Sequence, residues 1–210
     1  MKIDKKTRVL TSVVCLLPLI VGALVYNRLP ETMATHWNIN GEADGFSSRA
    51  FAVFGLPGIL LAVNLFLPWA LKADPKRENM SEKLVNVTLW IVPVVSLLAS
   101  GMTLGRGLGY ELRVDRVLGI FMGLLFIIIG NYLPKTKQSY TMGIKTPCAL
   151  NSEENWNRTH RLGGFVWVIG GLYFVVMSFI GWSLAAFLIP LTVMVLVPMA
   201  YSYMLYRKGI

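Results

Sequence analysis

Six stretches of the chain, at residues 9–26, 51–71, 84–104, 117–133, 162–180 and 184–206, contain no Asp, Glu, Lys, Arg or His. At a rise of 1.5 Å per residue, helices of about 17 to 23 residues reach roughly 26 to 35 Å, which matches a hydrocarbon core of about 30 Å. The charged residues fall in the connections between these stretches. Such segregation is what a backbone that must satisfy its own hydrogen bonds inside lipid requires, and a water-soluble core has no need of it. A composition of 55% apolar and 15% charged residues points the same way. The expected fold class is therefore all-α, a polytopic membrane bundle of six transmembrane helices.

The first stretch follows Lys2, Lys5, Lys6 and Arg8, as a signal peptide would. Its apolar part is longer than a signal core, and Tyr26, Asn27 and Arg28 end it with no small-residue cleavage pattern, so a retained helix is expected. Lys and Arg set orientation, because basic loops stay in the cytoplasm. The N-terminal tail, the connections at 72–83 and 134–161, and the C-terminal tail hold fifteen of them, against five in the alternate connections. Both termini are expected to be cytoplasmic. The chain reads as an N-terminal unit, 1–71, with two spans and an external loop, and a C-terminal unit, 72–210, with four spans and the cytoplasmic connection 134–161.

The net charge of +9 is spread over these loops, not gathered on one face, so it suits topology and anionic membrane lipid and argues against direct nucleic-acid binding. Cys15 lies in the first apolar stretch and Cys148 in a connection, which makes a disulfide between them unexpected. Pro190 and Pro198 should kink the last span. Gly101 with Gly105, and Gly119 with Gly123, have the spacing that lets helices approach closely, read here as packing within the chain. No ionisable residue lies inside a span, which weakens an ion-coupled pump or transporter.

Two connections are richer than a linker requires. The external one, 27–50, holds the turn dipeptides Asn40-Gly41 and Asp44-Gly45 together with His36 and Trp37. His36, Glu42 and Asp44 make a weak ligand set for a divalent metal, and a structured interfacial loop is preferred to a metal site. The cytoplasmic one, 134–161, follows Asn131 and Pro134. It runs through Gly143-Ile144-Lys145-Thr146-Pro147, with Thr146 held extended by Pro147. A short helix is expected next, with Asn151 as N-cap and Glu154 completing a capping pair. On it Trp156 and His160 share one face, and Asn157 and Arg161 another. That helix should lie at the inner membrane surface, Trp156 at headgroup level, before Gly163 and Gly164 lead into the fifth span. Cys148 and His160 are the right residue types for a nucleophile and base, but nothing in the sequence orients them.

Over these residues the chain resembles the SdpI family of bacterial multispanning immunity proteins. The C-terminal resemblance runs through Gly130-Asn131-Tyr132, Pro134-Lys135, Gly143 to Pro147, Trp156, His160-Arg161 and Gly163. The N-terminal one, to a domain of unknown function that accompanies that family, runs through Leu29-Pro30, His36-Trp37-Asn38, Gly41 and Asp44-Gly45. The family pattern has Arg and Trp where this chain has Lys145 and Cys148, and Lys lacks the fork that holds an anion with two hydrogen bonds. The resemblance implies a plasma-membrane protein without catalysis or cofactor that protects its cell from a membrane-active peptide toxin on the external face and relays the event to a cytoplasmic transcriptional repressor. The candidate binding residues are Asn131, Pro134, Gly143, Lys145, Thr146, Pro147, Trp156, His160 and Arg161 inside, and His36, Trp37 and Asp44 outside. A small transporter or lipid-handling protein is the alternative.

Overall fold

The computed structural model describes residues 4–210, so Lys2, counted above among the basic residues of the N-terminal tail, lies outside the described residues. Seven helices follow one another among them: α1 (Lys5–Val25), α2 (Leu56–Ala73), α3 (Glu82–Gly107), α4 (Val114–Tyr132), α5 (Pro147–Asn151), α6 (Glu153–Ile180) and α7 (Leu184–Arg207). All but α5 are long and apolar enough to cross a membrane, one for each uncharged stretch. Between α1 and α2 the strands β1 (Thr32–Trp37) and β2 (Ala43–Ser48) pair antiparallel. A π-helical turn, Phe51–Gly55, leads into α2.

Two compact units emerge. One holds residues 4–73 and Glu82–Val114; the other holds Asp74–Ser81 and Asp115–Ile210. In the first, α1, α2 and α3 pack against one another. Leu29, Met33, Ala52, Val53 and Leu104 form a buried cluster there, which seats the start of the hairpin on the helix ends.

In the second unit α4 and α6 approach to backbone contact. A Cβ on Gly130 would stand 2.8 Å from the Gly164 carbonyl oxygen, and one on Gly123 would stand 2.6 Å from that of Gly171. The glycine at 123 therefore serves packing within the chain. Beside this crossing Phe126, Phe174 and Met194 form a buried core edged by Trp167, Trp182 and Phe187.

α7 runs unbroken through Pro190 and Pro198. A proline has no N–H for the carbonyl four residues earlier, and lipid offers no replacement donor. Here α6 supplies both. Tyr173 Oη donates to the Ala186 oxygen at 3.1 Å, four residues before Pro190. Trp167 Nε1 donates to the Met194 oxygen at 2.9 Å, four residues before Pro198. The two prolines thus mark where α7 is fastened to α6.

Candidate functional site

The connection between α4 and α6 is a small folded structure built around the first turns of α6. Thr146, before a proline, is extended (φ −81°, ψ 149°), and its Oγ1 accepts from Ala149 N at 3.1 Å, capping α5 with Pro147 in its first turn. Ser152 is extended in turn and its Oγ accepts from Asn155 N at 3.2 Å, which makes Ser152 the N-cap of α6. Asn151 does not start that helix as the capping pattern suggested, because it is already the last residue of α5. Nor do Trp156 and His160 lie on a helix separate from the fifth span. α6 is continuous for 28 residues, a length of roughly 42 Å that exceeds a hydrocarbon core of about 30 Å by two turns.

Trp156 and His160, on those extra turns, are fully buried and their rings stack at 3.9 Å. This overturns the expectation of a Trp156 ring among lipid headgroups. The apolar face of these turns is covered by the chain's own loop, which also satisfies the indole: Trp156 Nε1 donates to the Thr136 carbonyl at 2.6 Å. His160 Nε2 accepts from Ile144 N at 2.8 Å, so that nitrogen carries no proton, and Nδ1 donates to the Trp156 carbonyl at 2.8 Å. The histidine is held neutral in one tautomer. Gly143 lies on the stack at φ +103°, where a Cβ would come within 2.5 Å of His160 Nε2 and 2.8 Å of Trp156 Cζ2. Only glycine meets both demands without strain.

A buried polar chain lies beside the stack. Ser202 Oγ donates to Asn155 Oδ1 at 2.8 Å, so its single proton is used and Thr146 Oγ1 must donate to Ser202 Oγ at 2.6 Å. Thr159 Oγ1 donates to the same Asn155 oxygen at 3.1 Å, while Asn155 Nδ2 donates to the carbonyls of Ser202 at 2.9 Å and Ile210 at 3.1 Å. Every donor and acceptor of the Asn155 amide is occupied. The network fastens the loop, α6, α7 and the last residue of the chain to one another.

The segment Asp74–Ser81 folds onto the same loop. Buried Asp74 accepts from Lys76 N at 2.7 Å through Oδ1, and from Ser139 Oγ at 2.8 Å, Thr141 N at 2.8 Å and Thr141 Oγ1 at 2.5 Å through Oδ2. Burial raises its pKa, but the hydrogen bonds from Thr141, Ser139 and the Lys76 and Thr141 amides outweigh burial and hold it below the ordinary 3.8. Gln138 extends the seam, accepting from Lys76 Nζ at 2.9 Å and donating to the Ala149 carbonyl at 2.9 Å.

Of the residues singled out in this connection, Thr146, Trp156 and His160 are buried and half-buried Gly143 lies against the last two, while the Pro134 ring, exposed on one side, packs at the α4–α6 crossing beside Gly164. Asn131, Lys145, Pro147 and Arg161 are exposed. Asn155, Thr159, Ser202, Asp74, Ser139 and Thr141 complete the structure and were not among the expected residues. Asn155 and Thr159 carried a usable signal, since they share one helix face four residues apart.

The connection between α1 and α2 is a hairpin. Asn38 Oδ1 accepts from Asn40 N at 2.9 Å and Glu42 N at 3.1 Å, and Gly41 closes the turn at φ +79°. Asp44-Gly45 is not a second turn: both residues lie in β2. The pairing is irregular around His36, opposite Gly45. A Cβ on Gly45 would stand 2.8 Å from that of His36, which explains a glycine within a strand. His36 Nδ1 and Asp44 Oδ1 pair at 2.5 Å, whereas Glu42 accepts from Asn38 Nδ2. Among the described residues no three metal-ligating side chains cluster. Arg49 ties down the hairpin base, donating through Nη1 to the carbonyls of Tyr26 at 3.2 Å and Leu29 at 3.1 Å, with its guanidinium over the Tyr26 ring. Trp37 is half-buried, and its Nε1 has no hydrogen-bond partner among the described residues.

Two family models match the chain. A domain of unknown function, DUF1648, covers residues 13–61, which include the hairpin; the SdpI/YfhL protein family covers 135–202, from the folded loop into α7. The chain is also 27% identical over 206 residues to the immunity protein SdpI of Bacillus subtilis (strain 168), a match spanning 97% of each chain. No solved structure matches it. With six helices long and apolar enough to cross a membrane, an N-terminal region matching one model and the folded-loop region matching the other, the chain is a multipass bacterial membrane protein similar to the SdpI/YfhL protein family.

Proposed function

We propose that the chain is an immunity protein that protects its cell against a membrane-active peptide, and that its folded loop passes the encounter to a cytoplasmic repressor. The carrying observation is that Gly143, Thr146, Trp156 and His160 all help to close one folded loop within the region that matches the SdpI/YfhL family. A loop that served only to connect two helices would not need such closure. A folded one offers a fixed surface, with Lys145, Pro147 and Arg161 exposed on it, for a protein partner to recognise. The relative named an immunity protein aligns with 206 residues of the chain, both connections included.

On this reading the hairpin faces outward and both termini are cytoplasmic, as the distribution of Lys and Arg favours. The exposed Phe46 and half-buried Trp37 supply apolar surface for an amphipathic peptide. The reading includes no catalysis. Both ring nitrogens of His160 are engaged inside the loop, which leaves it poorly placed to activate Cys148.

The test compares a deletion strain with its parent for killing by several membrane-active peptides, then restores the gene as wild type, Trp37→Ala or His160→Ala. Greater killing of the deletion strain, reversed by wild type and less well by either variant, supports the reading. Equal killing of deletion strain and parent by every peptide overturns it.

A further inference from the structure

The face that α7 turns to α6 carries Met194, Pro198 and Ser202, four residues apart and all buried. Each meets a different part of the second unit. Met194 fills the gap left by Gly170. Pro198 lies beside Gly163, where a Cβ would stand 3.6 Å from the proline ring and 2.5 Å from Ile144 Cδ1. Ser202 holds Asn155 and Thr146, and through Thr146 the folded loop. Pro198 makes this face weak at one point. It has no N–H for the Met194 carbonyl and its ring crowds that oxygen, so α7 bends there at less cost than elsewhere. What stands in for the missing donor is the Trp167 indole, whose Nε1 donates to that carbonyl at 2.9 Å. Trp167 lies twelve residues beyond Asn155 on α6, about 18 Å along the helix, too far to take part in the loop network itself.

We propose that Pro198 is a hinge and the Trp167–Met194 bond its latch, through which the middle of α7 controls whether the loop is closed. With the latch made, α7 lies straight along α6, Ser202 sits between Asn155 and Thr146, and the loop is shut. When the latch opens, α7 bends at Pro198 and Ser202 withdraws. Thr146 and Asn155 then lose the contacts that fix the loop to α7, and the loop is released by a local opening while the rest of the bundle stays folded. The device deepens the proposed relay and rests on that reading only for its input, a peptide arriving in the membrane; the coupling of span to loop is a property of the helices.

The experiment follows hydrogen exchange of the full chain in lipid nanodiscs at the Ala149 amide, held by Thr146, and the Ile144 amide, held by His160. Trp167→Phe removes the donor and keeps a ring, and should lower the protection of both amides about fivefold, the effect of one hydrogen bond. Pro198→Ala gives the Met194 carbonyl a backbone N–H in its place. Alone it should raise the protection of the Ala149 amide by about twofold or more, and Trp167→Phe added to it should change that protection by less than about twofold. An indole that served only to pack would cost the loop the same with either residue at position 198. That outcome overturns the proposal, as does a loop in Trp167→Phe as protected as in the wild type. Pro198→Ala decides the matter even if Trp167→Phe fails to fold, since protection of the Ala149 amide no higher than in the wild type refutes the hinge. No peptide enters these measurements, so a failed latch leaves the immunity reading to the killing assay.

Discussion

Replacing Asn155 with alanine removes, in one step, two accepted and two donated hydrogen bonds at a fully buried position. Each is worth about 1 kcal/mol net, and a buried carbonyl left without its donor costs at least that much. The Thr159 hydroxyl can turn to the carbonyl one helical turn back, so its bond is discounted. Three bonds remain, to Ser202 twice and to Ile210, which gives about 3 kcal/mol for opening the loop. At tenfold per 1.4 kcal/mol this is a drop of roughly 150-fold in the protection of the loop amides. Hydrogen exchange of the chain in lipid nanodiscs reads it directly, with the amides of Ile144, held by His160, and Ala149, held by Thr146, as reporters. The fall should be confined to residues 136–152 and the end of α7, with the central turns of α4 and α6 unchanged. Protection of those two amides within threefold of wild type would refute the claim that Asn155 holds the loop shut.

Three further outcomes follow from the same structure. Asp74 ionises more readily in the folded loop than in an unfolded chain, so its contribution is fully present above its ordinary pKa of 3.8 and is lost as pH falls through the lower folded value; the protection factor of the Thr141 amide, its exchange relative to the unstructured rate at each pH, should be steady above about pH 4 and fall below it, and Asp74→Asn should abolish that acid step. Trp167→Phe and Tyr173→Phe each unpair a proline-freed carbonyl of α7, so each should lower stability by about 1 kcal/mol, near the measured range for hydrogen bonds within membranes, and the two should add; unfolding in mixed micelles measures this. In intact cells an impermeant thiol reagent should label Asn40→Cys and miss Ser152→Cys, both made in a chain with Cys15 and Cys148 replaced; the reverse pattern would invert the orientation.

The six crossings were legible because lipid forbids charge within a span, a constraint local to each stretch and therefore visible in one sequence. The close approach of α4 was legible in Gly119 and Gly123, but the same spacing misled at Gly101 and Gly105, where a Cβ on Gly101 would meet nothing within 4 Å and one on Gly105 only the Leu112 side chain. The hairpin was not legible, because the residue types of Thr32–Trp37 and Ala43–Ser48 do not alternate apolar with polar, even though burial along the second strand does, and the second carries a glycine. The start of α6 was misread for a related reason. Gly163 and Gly164 look like a break before a span, yet they are gaps filled by the Ile144 side chain and the Pro134 ring, so the helix runs straight through. The loop's signature residues stood out as residue types, but what closes the loop did not. Asn155 meets Ser202 across 47 residues, and Asp74 meets Ser139 across 65. Such pairings depend on the tertiary fold, and a single sequence records no sign of them.

Expressing the chain in a bacterium sensitive to a membrane-active peptide, and counting survivors over a peptide concentration series, tests the immunity reading most directly. The account predicts that cells carrying the wild-type chain survive concentrations that kill cells with an empty vector, and that cells carrying Trp37→Ala at equal membrane abundance lose much of that advantage. Survival identical to the empty vector for every peptide tried, with the protein present in the membrane, would contradict it.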